Sequence, residues 1–171
     1  MDNFFRDTLM AELDKLRSRT LATVNGFSRS QLLWSPPGPV ANPMGFIFWH
    51  MGRREDMHLR NRIQDKEQLW TAEGWNRRLG LDPEETGFGF TPEQVTAFPL
   101  PRLEDLIAYY NRVRDSTLGY LRGSSDPALQ GPMPRTPETS IGVYLLARVT
   151  HEHEHWGQID YLKSILPREL I

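Results

Sequence analysis

Apolar residues recur with a helical period over long stretches of the chain. Leu9, Leu13, Leu16, Thr20 and Val24 follow one another at spacings of three and four, the stripe of an amphipathic helix over residues 2 to 25. Gly26 is placed to end it. Residues 28 to 43, SRSQLLWSPPGPVANP, carry four prolines and read as a loop. Asn42 followed by Pro43 reads as a helix start, a side-chain acceptor at the N-cap and then a proline whose missing N–H is not needed. A second helix is therefore expected from Pro43 to Gln64. Leu106, Tyr109, Tyr110, Val113, Thr117 and Tyr120 predict a third from Leu103 to Leu121, and a fourth is expected from Ser140 to Leu166, stopped by Pro167.

Residues 65 to 101 break this rhythm. They mix glycine and proline with aromatics, as in LWTAEGWNRRLGL and TGFGF, which suits an ordered excursion with short helical turns better than a disordered linker. No repeat, low-complexity segment or convincing set of strands is present. The pattern predicts an all-α chain, one domain over residues 1–171, built as a four-helix bundle with a long ordered excursion between helices 2 and 3. A connection of that length permits a crossover, so simple up-down-up-down order is not required.

Composition narrows the function. A hydrophobic share of 39% with 25% charged residues is ordinary for a globular domain. A net charge of -2 gives no basic excess, so no nucleic-acid partner is expected. No apolar run is long enough to predict a membrane span, and MDNFFRDTLMAELDK puts acids where a signal peptide needs basic residues and an apolar core. A cytoplasmic location is the expectation. The absence of cysteine removes disulfides, cysteine nucleophiles and thiolate ligands together. Any bound metal must use nitrogen and oxygen donors, and any thiol chemistry must use a thiol from outside.

Three of the five histidines stand in HEHEHWGQI, residues 151 to 159. On a helix, His151 and His155 differ by about 40° and lie one turn apart, whereas His153 points roughly 160° away. Tyr144, Ala147, Arg148, Gln158 and Leu162 extend the face of the pair. Spacing of four suits chelation, because both imidazoles leave one face and converge at about 2.0–2.1 Å from one ion. Such pairs also occur on solvated helices, and His50, in the apolar run GFIFWHMG, has the setting of a core residue. A facing pair together with a third histidine favours a metal. His58 lies about 12 Å along the helix from His50, too far to share its ion, and reads as solvated or as supporting the site from outside.

NPMGFIFWHMGRREDMHLRNRI, followed about a hundred positions later by HEHEHWGQIDYLKSIL, resembles the DinB/YfiT-like family of metalloenzymes. Its pattern is a histidine after an apolar run on the second helix and H-x-x-x-H-x-G-Q on the last, here His50, His151, His155, Gly157 and Gln158. The resemblance extends over nearly the whole chain; His153 is not part of it. It implies a four-helix bundle, one divalent metal on three side chains with open positions, and a homodimer. The family includes mycothiol-dependent maleylpyruvate isomerase and bacillithiol transferases.

Three neutral imidazoles leave the ion its full +2 charge and at least one open position. Nickel, zinc, iron and manganese all accept such donors. The reading favoured here is a metal-activated transferase or isomerase that uses a low-molecular-weight thiol on a small-molecule substrate. A hydrolase using metal-bound hydroxide and a non-catalytic metal-binding or ligand-sensing bundle are the alternatives. Arg54 and Arg148 lie one turn from His50 and His151 and could hold a carboxylate; surface arginines are the plain alternative. Tyr144 could donate a proton or pack, and Gln158 could orient His155 or a substrate. Gly157 is expected to admit a close helix. Glu55, Asp56, Glu152 and Glu154 could accept hydrogen bonds that support the site, although charged residues on helices are usually solvated; the aromatic excursion could cap the metal mouth, or simply pack as a long loop.

Overall fold

The four stripes become four long helices in the computed structural model, which describes residues 3–38 and 41–170. In chain order the helices are α1 (Phe4–Val24), α2 (Arg29–Leu33), α3 (Met44–Asp56), α4 (Leu69–Ala72), α5 (Trp75–Leu79), α6 (Pro92–Thr96), α7 (Leu103–Arg122), α8 (Asp126–Leu129) and α9 (Ile141–Ser164). A 3₁₀ turn, Arg168–Leu170, follows. The described residues contain no β-strand. None of their helices is long and apolar enough to cross a membrane. Leu9, Leu13, Leu16, Thr20 and Val24 are all buried, as their spacing requires.

Three local expectations change. The proline-rich stretch contains α2, closed by a capping box in which Ser28 accepts from the Gln31 backbone and Gln31 reaches back; its Pro39 and Val40 lie outside the described residues, as does the expected helical Asp2. At the second long helix Pro43 itself takes the N-cap place. Its ψ of 150° is extended and its carbonyl accepts the first helical bond, from Ile47, so Asn42 stands outside the helix. The far end does not stay α-helical. Met57–Ile63 widens into a π-helical segment, in which the Gln64 N–H reaches five residues back to the Leu59 carbonyl.

α1 packs on α7 and α9, and α3 packs on the same two helices. Two apolar clusters lie along this assembly. One gathers Phe46, Trp49, Trp70, Tyr109, Tyr110 and Ile159, and the other Leu9, Leu13, Leu118, Leu121, Leu145 and Val149. In sequence, the residues between them on α3, α7 and α9 include Glu55, Arg114 and Glu152, all buried. The Arg114 guanidinium donates to Glu55 through Nε and Nη2 at 3.0 Å each, to the Leu13 carbonyl at 2.6 Å, and to Glu152. Thr117 adds a hydroxyl bond to Glu55 at 2.6 Å. Glu55 and Glu152 are thus not solvated: hydrogen bonds and one cation compensate them in the interior. Burial pushes the Glu152 carboxyl up, and Arg114 opposes the shift.

Asp56 is also buried. It accepts from the backbone N–H groups of Leu69 at 2.9 Å and Trp70 at 2.8 Å and from the Tyr109 hydroxyl at 2.9 Å, so α3 holds the start of the excursion. Neighbouring Arg53, fully buried, donates to the Glu85 carbonyl at 3.0 Å and holds its far part. Of the four acids Glu55, Asp56, Glu152 and Glu154, only the last is exposed.

Replacing Arg114 by Met leaves two carboxylates without their cation and should cost about 3–5 kcal/mol. For a chain of this size that is a fall of roughly 6–20 °C in Tm by thermal unfolding. Arg17→Ala, which removes the exposed pair to Asp115, should stay within about 1 kcal/mol of the parent.

Candidate metal centre

α3 brings His50, and α9 brings His151 and His155, to one point. One ring nitrogen from each lies within 4.8 Å of the others. Ring centroids are 4.4 Å apart for His151 and His155, 5.1 Å for His50 and His155, and 6.3 Å for His50 and His151. The one-turn spacing on α9 sets the first distance, and packing of α3 on α9 sets the other two. His153 faces α1 instead, with Nε2 3.7 Å from a Glu12 carboxylate oxygen.

Hydrogen bonds choose the nitrogens. His50 Nδ1 is 2.5 Å from the Thr86 carbonyl oxygen. A carbonyl only accepts, so the proton is on Nδ1 and Nε2 carries a free lone pair. His155 Nδ1 is 2.9 Å from Gln158 Oε1, and its buried Nε2 has no partner among the described residues. A buried acceptor left bare and aimed at two other imidazoles fits a metal ligand. Burial chiefly lowers His50 to about 4, with Thr86 opposing, and burial and His155 lower His151 to about 4. Both are neutral at pH 7, the state in which imidazole binds metal.

The excursion reaches this centre through Thr86, Gly87 and Phe88. Gly87 has φ +77°, and a Cβ there would lie 2.8 Å from Trp49, 2.9 Å from Phe46 and 3.0 Å from His50 Nδ1. Glycine is therefore required twice, by conformation and by space. Gly157, in contrast, has nothing within 4 Å of a Cβ position, so no helix among the described residues makes the close approach expected there.

The other expected residues form a second group beside the first. His58 is buried, not solvated, and shares a short hydrogen bond with the Tyr144 hydroxyl; Arg148 Nη1 lies 3.3 Å from its Nε2. Arg148 also stacks over the Tyr144 ring at 5.4 Å, and Arg54 over Phe88 at 5.1 Å. Tyr144, Arg54 and Arg148 thus adjoin the histidine cluster without belonging to it. Arg62 and the individual contacts of Thr86 and Phe88 escape sequence reasoning, although TGFGF reads as a candidate cap. The paired glycines of TGFGF mark a special turn, but nothing in the sequence marks its backbone carbonyl as a histidine partner.

An all-α chain with three converging imidazoles on two packed helices defines a class of helical protein with a candidate metal site. The particular family follows from comparison: residues 12–159 match the DinB superfamily, to which this chain belongs. A conserved protein from Enterococcus faecalis of solved structure has the same fold, with a TM-score of 0.78 at 21% identity over 92% of this chain and 94% of that one. No curated protein matches the chain.

Two outcomes follow. Gly87→Ala should cost about 1–3 kcal/mol in urea unfolding while leaving helical circular dichroism intact. The second concerns His58, which burial, and then Arg54 and Arg148, lower to about 3. Below pH 6.5 the unfolded chain takes up a proton that the folded chain refuses, so wild type loses stability as pH falls. Relative to His58→Gln, chelated wild type should lose up to ~2 kcal/mol between about pH 7.5 and about pH 5.

Proposed function

We propose that His50, His151 and His155 hold one divalent ion, and that the chain is a metal-dependent enzyme joining or isomerising small molecules with the help of an external thiol. The bare, buried Nε2 of His155, facing the other two imidazoles, is the observation that carries the metal assignment. All-nitrogen donors suit nickel, zinc, iron or manganese. A bound divalent ion supplies Lewis acidity that favours the thiolate form of a thiol at neutral pH.

The chain's own groups prepare that site. The Thr86 carbonyl fixes the His50 ring and its tautomer, and Gln158 does the same for His155. Both partners are uncharged and leave the donor set neutral, so they do not offset the ion's charge. His50 is held by an excursion loop on one side and by the helix on the other, which limits where a substrate can approach. The family is often enzymatic, and the absence of cysteine from the sequence requires the nucleophilic sulfur to arrive with a cofactor. We read residues 1–171 as one domain, its four long helices forming the bundle expected of the family.

The test begins with elemental analysis of protein purified without added metal. His151→Ala and His155→Ala should lose most of the bound ion, and His153→Ala should keep about one per chain. Metal-loaded protein should then conjugate a chlorobimane with bacillithiol, mycothiol or glutathione faster than His155→Ala does. Equal metal in all three variants would refute the site. Cleavage of esters or amides with no thiol-dependent rate would replace the transferase reading by a hydrolase.

A further inference from the structure

Beside the histidine cluster lies a cleft of about 420 Å³. Arg54, Arg62 and Tyr144 supply polar groups, Met57, Met133 and Phe88 supply apolar wall, and no acidic residue lines it. In a chain with 22 acids against 20 lysines and arginines, that local excess is selective. Arg135, also on the wall, is paired with Asp65 at 2.7 Å. Among the described residues, Arg54, Arg62 and nearby Arg148 have no carboxylate within ion-pair distance. Arg54 Nε and Arg148 Nε are buried without any hydrogen-bond partner. Buried guanidinium donors normally find acceptors, so the charge of Arg54, which lines the cleft, is left uncompensated by the described residues.

The hydroxyl of Tyr144 is aimed by its neighbours. Guanidinium groups only donate, so Arg148 Nη1 makes His58 Nε2 the acceptor. The remaining ring proton then sits on His58 Nδ1 and is donated to the Tyr144 oxygen. Tyr144 thereby accepts from His58 and retains its own O–H for a partner in the cleft. The chain Arg148–His58–Tyr144 turns a residue that only packs into an oriented donor.

We infer that this cleft binds the anionic group of a small ligand, a carboxylate or a phosphoryl group, through Arg54, Arg62 and the Tyr144 hydroxyl, with the ligand's apolar part against Met57, Met133 and Phe88. Arg54 is one turn from His50 and Arg148 one turn from His151, so a ligand held here extends toward the histidine cluster. As the substrate class of a metal centre the inference rests on the preceding proposal; as an anion site it stands on the arginines and Tyr144.

The test is isothermal titration calorimetry of the full chain, with and without chelator, using succinate, inorganic phosphate and neutral succinamide. One of the two anions should bind saturably and succinamide should not. Arg54→Gln and Arg62→Gln should each weaken binding about tenfold, and Tyr144→Phe several-fold. Exposed Arg122→Gln should change nothing, and circular dichroism checks that each variant is folded. Preference for succinate assigns a carboxylate, and preference for phosphate a phosphoryl group. No saturable binding, binding unchanged in Arg54→Gln and Tyr144→Phe, or binding only in the presence of metal overturns the inference. Anion binding by a chain that loads no divalent ion would reject the metal reading and keep the cleft; metal loading without anion binding would do the reverse.

Discussion

The buried guanidinium of Arg114 is the point through which the four long helices are held in register. It projects from α7 and reaches Glu55 on α3, Glu152 on α9 and the Leu13 carbonyl of α1. Apolar clusters above and below supply most of the burial, but apolar contacts are non-directional and accept small slips. A planar fork of fixed donors does not. Each acid it binds is a neighbour in sequence of a site residue, Glu55 following Arg54 and Glu152 following His151. A slip of α3 past α9 by one turn, about 5.4 Å, exceeds the 4.8 Å over which the three imidazole nitrogens converge, so the ionic contact and the histidine cluster stand or fall together.

The electrostatics around the cluster have a consistent sense. Histidine ligands are often backed by carboxylates, which raise the basicity of the ring. Here the backing groups are the carbonyl of Thr86 and the amide of Gln158. Arg54 and Arg148 add positive charge close enough to lower His151 further, after burial and His155. Such a setting would weaken cation binding and would leave an ion held there more electrophilic. Affinity would then have to come from geometry, which gives weight to the orientation of His50 by the excursion as well as to its presence on α3.

Long elements and the histidine set were legible in the sequence because both depend on helical periodicity. The i, i+4 relation sorts His151 and His155 from His153, and their placement in the fold agrees with it. What was hidden depends on tertiary context. Glu55, Asp56 and Glu152 look like surface acids, since nothing local announces that Arg114 or the Leu69 and Trp70 N–H groups will face them. For His58 the sequence leaves open a solvated place or one supporting the site from outside; the widening after Asp56, in which it lies, is a hydrogen-bond shift that no apolar stripe encodes. Gly157 reads like a packing glycine, yet the space beside it is open. The Thr86 contact is made by a backbone carbonyl, a group every residue carries, so side-chain identity could not reveal it.

Among the described residues, Arg54 and Arg148 combine the lack of a carboxylate partner with a buried Nε that has no hydrogen-bond partner. Arg6, Arg17, Arg53, Arg78, Arg102, Arg112, Arg114 and Arg135 each have a carboxylate within reach, whereas exposed cations such as Arg77 and Arg122 are left to solvent. Arg54 and Arg148 also repel each other strongly enough that, after burial, Arg148 is the largest influence lowering Arg54. Burying part of a guanidinium next to a like charge opposes folding. Replacing either arginine by a neutral side chain would relieve that repulsion in the unliganded chain. The arrangement is therefore poorly explained by folding alone, and local stability given up at a cleft beside candidate ligands is the pattern of a site shaped for something it binds.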